Sequence, residues 1–118
     1  MKTYPLLGGK ASVTLFLDGR LVPSSLQRFE AAPGAVVPLH SHDDSDEIVF
    51  IVAGKGEMTV GGAAYAVETG DAIRLAQGRR HGLTVTEKLV AVLCYAPAGP
   101  EQRFKGAAPL PAKTETKP

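Results

Sequence analysis

Short runs of apolar or alternating residues follow one another along this chain, separated by glycine-bearing turns, and no stretch longer than ten residues keeps a helical period. Such a pattern restricts the fold to an antiparallel sandwich or a closed barrel, because period-two segments bury one face only by packing against another sheet. The runs predict strands at Val13 to Leu17, Leu26 to Ala31, Val36 to His42, Glu47 to Ala53, Gly56 to Val60, Ala63 to Glu68, Asp71 to Leu75, Gly82 to Thr86 and Leu89 to Tyr95. Asp18-Gly19, Pro33-Gly34, Gly54-Lys55-Gly56, Gly61-Gly62 and Thr69-Gly70 read as the turns, and Gly61-Gly62 as a hairpin. Gly54-Lys55-Gly56 is not a phosphate loop, since no helix follows it.

The 118 residues suit one domain, with the barrel over residues 1–105 and a mobile tail over 106–118, where Pro109 and Pro111 stand among charges with no apolar period. Thirteen basic residues against twelve acidic ones give no basic face for nucleic acid, and few aromatics are present for stacking on bases. Neither a secretory leader nor a membrane span is expected, so the location is read as cytoplasmic. The single cysteine, Cys94, excludes an internal disulfide and reads as an inert strand thiol.

Ile48, Val49, Phe50, Ile51 and Val52 are all apolar, so both faces of that strand call for burial. Glu47, Val49 and Ile51 fit the barrel interior. Ile48, Phe50 and Val52 need either the chain's own N-terminal strands over them or a second subunit, which makes a homodimer an expectation.

The histidines carry the chemistry. His40 and His42 are two apart, so on a strand they share a face, and Glu47 opens the next strand after a loop holding Asp43, Asp44 and Asp46. The loop acids read as solvated. Two imidazoles and a carboxylate suit a divalent transition metal, among iron, manganese, nickel, copper and zinc. His81, in Arg79-Arg80-His81-Gly82, is the third histidine and would complete a set of four. A solvent-facing histidine pair is the alternative that local spacing leaves open.

From Gly34 the chain runs five residues to His40, one to His42, four to Glu47 and six to Gly54. This resembles the first motif of the cupin superfamily. Gly70, Ala76, Gly78, His81 and Val85 resemble the second, with Ala76 in place of the usual proline and Val85 in place of the usual asparagine, after a fifteen-residue spacer. The resemblance implies a jelly-roll β-barrel of all-β class, metal ligands at His40, His42, Glu47 and His81, and frequent dimers. If His81, Leu83 and Val85 share a strand face, Leu83 and Val85 line a partly apolar pocket.

The family leaves function open. The expectations are a metal-dependent enzyme, dioxygenase-like or a lyase or isomerase, acting on a small oxygenated or carboxylated molecule, or else a non-catalytic barrel that binds or senses a small molecule or metal. A metal-free structural barrel is the remaining alternative, and a sugar-nucleotide isomerase is disfavoured because the ligand set uses every histidine. Arg74 and Arg80 are candidates to pair with a carboxylate, with plain solvent exposure as their alternative. Tyr95 is a candidate to donate or accept a proton. The segment from Ala96 to Phe104 reads as a closing loop, with Phe104 placed to plug the barrel's end or to reach a partner.

Overall fold

The computed structural model describes residues 1–19, 23–106 and 108–110. The strands are β1 (Lys2–Leu6), β2 (Ala11–Leu17), β3 (Ser25–Ala31), β4 (Val36–His40), β5 (Asp46–Val60), β6 (Ala63–Glu68), β7 (Ala72–Leu75) and β8 (His81–Ala96). Every pairing is antiparallel, in the order β1-β2-β3-β8-β5-β6, with β4 on β8 and β7 on β5. This is the all-β antiparallel architecture expected from the strand pattern, and it is consistent with the jelly roll that the resemblance implies.

β5 and β8 organise the molecule. They pair along their whole lengths, and each serves two partners on its other edge: β7 then β6 for β5, β4 then β3 for β8. Here the structure corrects the sequence reading. Gly54-Lys55-Gly56 is not a turn between two strands but a bulged bend inside β5, where the register shifts between Ile51 and Gly56. Opposite it, the exposed Thr86, Glu87 and Lys88 do not separate two strands; β8 runs through them. The polar residues belong there because a bending strand carries its backbone through solvent, and Lys55 and Glu87 pair across the bend at 3.5 Å. Gly54 has φ +106°, and a Cβ on it would stand 2.1 Å from the carbonyl oxygen of Lys88. Only glycine allows the two bent strands to approach so closely.

Other boundaries also move. β1 was not expected, since Pro5 breaks the pattern; it forms on the edge of the sheet, where a missing N–H is tolerated. β4 stops at His40, two residues short of the expected end. After β8, Pro100–Gly106 form a 3-10 helix rather than a loop. The amide of Leu110 donates to the Thr3 carbonyl at 2.6 Å, whereas residues 107 and 111–118, where most of the mobile tail was expected, lie outside the described residues.

The core follows the alternation. Ala11, Val13 and Leu15 of β2, Phe29 and Ala31 of β3, and Val49 and Ile51 of β5 are buried, with polar or half-exposed residues between them. One cluster, including Ile51, Val85 and Leu89, fills the barrel. A smaller one, Tyr4, Val13 and Leu15 with Phe104 against them, closes its N-terminal side. The outer face of β5 is not covered by the N-terminal strands: Ile48, Phe50 and Val52 are each about half exposed (47, 46 and 45%). β1 and β2 extend the sheet sideways beyond β3 and leave that face bare. Cys94 is half-buried, opposite Ile48 in the ladder, rather than a core thiol.

Candidate metal centre

His40 ends β4 and His81 opens β8, and the two are register partners. His42 lies just beyond β4, held by the Gly78 amide, which donates to its carbonyl at 2.9 Å. That bond ties the loop after β4 to the turn before β8, so the two histidine segments arrive as one unit. Glu47 enters from β5, opposite Tyr95 on β8. The loop between His42 and Glu47 is pinned just before Glu47. Ser45 donates to the Pro97 carbonyl at 2.6 Å, and Asp46 accepts from Arg74 at 2.8 and 3.2 Å and from the Gln77 amide at 3.0 Å.

These elements bring one donor atom from each of His40, His42, Glu47 and His81 within 4.8 Å of one another. The rings of His40 and His81 are 4.3 Å apart and those of His40 and His42 4.9 Å. Glu47 Oε1 is 3.4 Å from His42 Nε2 and 3.2 Å from His81 Nε2. His42, Glu47 and His81 are buried and His40 is half exposed at the rim.

The donor set fits a metal. His40 Nδ1 meets the Pro38 carbonyl at 2.7 Å and His81 Nδ1 the Arg79 carbonyl at 2.9 Å. With Nδ1 as donor in each ring, Nε2 is left with its lone pair turned toward the cluster, the arrangement that orients metal-binding imidazoles. Meanwhile Glu47 Oε1, His42 Nε2 and His81 Nε2 are buried with no hydrogen-bond partner. Buried polar atoms left in that state are costly unless a cation or proton joins them. Two donors about 2.1 Å from a common ion stand at most about 4.2 Å apart, so a small contraction closes this set.

The charges respond to burial and to one another. For Glu47, burial raises the carboxyl, but His42 and His81 outweigh it and hold it below its ordinary range. Burial lowers His40, helped by the neighbouring imidazoles, so it stays neutral to lower pH. For His81, burial also lowers the ring, but Glu47 and the Arg79 carbonyl carry it above its ordinary value. Tyr95 is pushed well above its ordinary value by burial, then by the charges of Glu47 and Glu101. Its raised value favours the neutral phenol.

Beside the cluster lies a cavity of about 240 Å³. Glu47, His81 and Tyr95 form its polar end, and Phe29, Ile51, Leu89, Leu93 and Phe104 are among the rest of its wall. Leu83 lines it as expected, whereas Val85 packs into the core instead. Neither candidate arginine reaches it. Arg74 is bound to Asp46 on the exposed side of β7, and Arg80 is exposed in the turn before His81. Asp46 is thus an anchor rather than a solvated loop acid, while Asp43 and Asp44 are exposed. Phe104 lines the cavity from the 3-10 helix, 6.3 Å from the Tyr95 ring. The Leu6, Leu7 and Met58 contributions to the wall were missed; the alternation of β5 placed Met58 inward, but nothing local marks the N-terminal residues.

An antiparallel barrel in which three imidazoles and a carboxylate converge beside a cavity is compatible with a bound metal. The chain belongs to the cupin family, whose cupin domain matches residues 27–96. It is similar to the pectin degradation protein KdgF of Dickeya dadantii (strain 3937), with 33% identity over 57 residues, 48% of this chain and 52% of that protein. The match therefore spans about half the length of that curated relative. Among solved structures, KdgF from Halomonas sp. superposes with a TM-score of 0.75 at 19% identity, covering 84% of this chain and 91% of that one. Ectoine synthase from P. lautus superposes with a TM-score of 0.71 at 23% identity, covering 92% and 83%. At these identities the likeness shows the shared fold. Among the described residues no helix is long and apolar enough to cross a membrane.

Proposed function

We propose that this chain binds one divalent transition metal through His40, His42, Glu47 and His81 and acts on a small oxygenated molecule held in the adjoining cavity. The observation that carries the reading is the convergence of four donor atoms within 4.8 Å, three of them buried and otherwise unpartnered, at the polar end of that cavity. When bound, the metal would supply Lewis acidity and a template for substrate oxygens. The protein's own residues would do the rest. The Pro38 and Arg79 carbonyls orient two imidazoles, the apolar wall excludes water, and the Tyr95 phenol donates a hydrogen bond to an oxygen at the polar end. The match to a pectin degradation protein makes sugar-derived acids a first panel to assay for lyase or isomerase turnover; a redox-active metal would direct the assays to oxygen consumption.

A non-catalytic binding or sensing barrel is the second reading. It is favoured by the cavity wall, where, among the described residues, the one titratable group besides Glu47 and His81 is Tyr95, whose raised value makes it a poor general base. Elemental analysis of the purified protein beside His42→Ala tests the metal. About one equivalent in the parent and at least a roughly tenfold loss in a folded variant is the expected result. Equal metal in both would reject the ligand assignment. Turnover on the panel by the loaded protein separates enzyme from binder.

The reading includes a homodimer through the outer face of β5. Its support is the half-exposed Ile48, Phe50 and Val52 in one row, flanked across the ladder by Cys94 and Val92.

A further inference from the structure

The cavity wall says more about the ligand than the metal donors do. Among the described residues, no lysine or arginine lines it, and its polar groups are confined to the Glu47, His81 and Tyr95 end. Apart from Tyr95, the ionisable groups of that end, Glu47 and His81, belong to the proposed metal set, so a charged partner is offered to the head alone. A polyhydroxylated molecule such as a sugar acid needs partners distributed around its body. Each hydroxyl buried unpaired on this wall weakens binding, because it gives up its water without gaining a partner. The candidate arginines that would have met a carboxylate are engaged or exposed outside, Arg74 with Asp46 and Arg80 in its turn. The volume of about 240 Å³ is below the ~300–1,000 Å³ of sites for drug-sized ligands. It is above the ~150 Å³ at which an apolar cavity takes up benzene.

We propose that this cavity selects a small molecule with a hydrocarbon or aromatic body and a single oxygen-bearing head, and discriminates against sugar acids. The head lies at the Glu47–His81–Tyr95 end and the body lies against Phe29, Leu83, Leu89, Leu93 and Phe104. This deepens the proposed function, on whose metal the binding of the head rests; the apolar body does not depend on it. It also departs from the substrate suggested by the name of the pectin-degrading relative. Phe104 is the specificity element peculiar to this arrangement, because it enters the wall from the C-terminal 3-10 helix and not from a barrel strand.

The test is a titration followed by methyl NMR of Met58, Leu83, Leu89 and Leu93, on protein of measured metal content. Three probes are used: tropolone, an aromatic with a two-oxygen head; galacturonate, a sugar acid; and toluene, a body with no head. The expected result is saturable shifts with tropolone and toluene, and galacturonate binding at least tenfold weaker than tropolone. Phe104→Ala should weaken tropolone and toluene tenfold or more while metal content stays at the parent level. Galacturonate binding as tightly as tropolone, or no response to toluene, overturns the proposal. If the protein takes up no metal, the metal reading fails by itself, and the toluene titration with and without Phe104 still decides the cavity proposal. Should Phe104→Ala not fold, Phe104→Leu serves, with a smaller loss expected; parent-like affinity in either folded variant overturns the role given to Phe104.

Discussion

Gly54→Ala probes the bend that holds the two halves of the metal site together. At Gly54 the backbone has φ +106°, and an added Cβ would sit 2.1 Å from the Lys88 carbonyl oxygen and 2.7 Å from Leu89 Cα, both backbone atoms of β8. Gly62 is the matched control, with φ +91° and nothing within 4 Å of an added Cβ. Alanine at Gly62 carries only the positive-φ penalty, about 1–2 kcal/mol. Alanine at Gly54 carries that penalty and must also push the paired strands β5 and β8 away from each other by more than about 1 Å, a further ~1–3 kcal/mol by analogy with overpacked cores. The expected loss is therefore about 2–5 kcal/mol, a large share of the ~5–15 kcal/mol that holds a typical domain folded. At roughly 4 °C per kcal/mol, Tm falls by ~8–20 °C for Gly54→Ala and ~4–8 °C for Gly62→Ala. Thermal and urea unfolding of metal-free protein measure both. Because Glu47 and His81 ride on β5 and β8, metal affinity should fall in Gly54→Ala and hold in Gly62→Ala. Equal destabilisation of the two variants would refute the account of Gly54 as a point of close strand approach.

Further outcomes follow from the buried polar groups and the bare face. In metal-free protein Glu47 titrates below its ordinary value and His40 below its own, so both contribute stability that is lost as pH falls through their folded values. His81 titrates above its ordinary ~6.5, so its contribution is complete below that pH and lost as pH rises through the folded value. Urea unfolding in chelator should therefore show stability declining on both sides of a weakly acidic maximum. Added metal should remove the alkaline decline, and a flat profile in chelator would count against the Glu47–His81 pair. Gln27 is fully buried with neither end of its amide hydrogen-bonded, so Gln27→Met should raise stability by about 1 kcal/mol in thermal unfolding. A loss of stability would mean that the amide has a partner. Phe50→Glu should halve the mass measured by light scattering if the outer face of β5 joins two copies; an unchanged mass rejects that interface.

Much of this architecture was legible in residue order. Alternation in β2 and β3 and the Gly61-Gly62 hairpin are local properties, and local sterics decide them. The placement of His40, His42, Glu47 and His81 was also legible, because their spacing resembles a family motif. Geometry alone left a solvent-facing pair open, and His42 in fact lies beyond its strand. What misled was punctuation. Gly54-Lys55-Gly56 and Glu87-Lys88 have the composition of turns, yet they are the facing halves of one bend, since glycine and charge suit any exposed or strained backbone. Arg74 was unreadable for a related reason: its partner Asp46 lies 28 positions away, and only strand pairing brings them together.

The sequence by itself determined an all-β chain, the inward and outward faces of its strands, and a set of side chains chemically suited to a divalent metal. The first two depend on period-two geometry, carried by neighbouring residues, and the third on donor chemistry and a spacing that resembles a family motif. Tertiary structure alone decided that β5 and β8 run unbroken and that the arginines stay outside the cavity. It also decided that Leu6, Leu7 and Phe104 help to wall the cavity. Those outcomes depend on register between distant strands and on where the segment after β1 and the 3-10 helix at Pro100–Gly106 come to rest, so no local stretch encodes them.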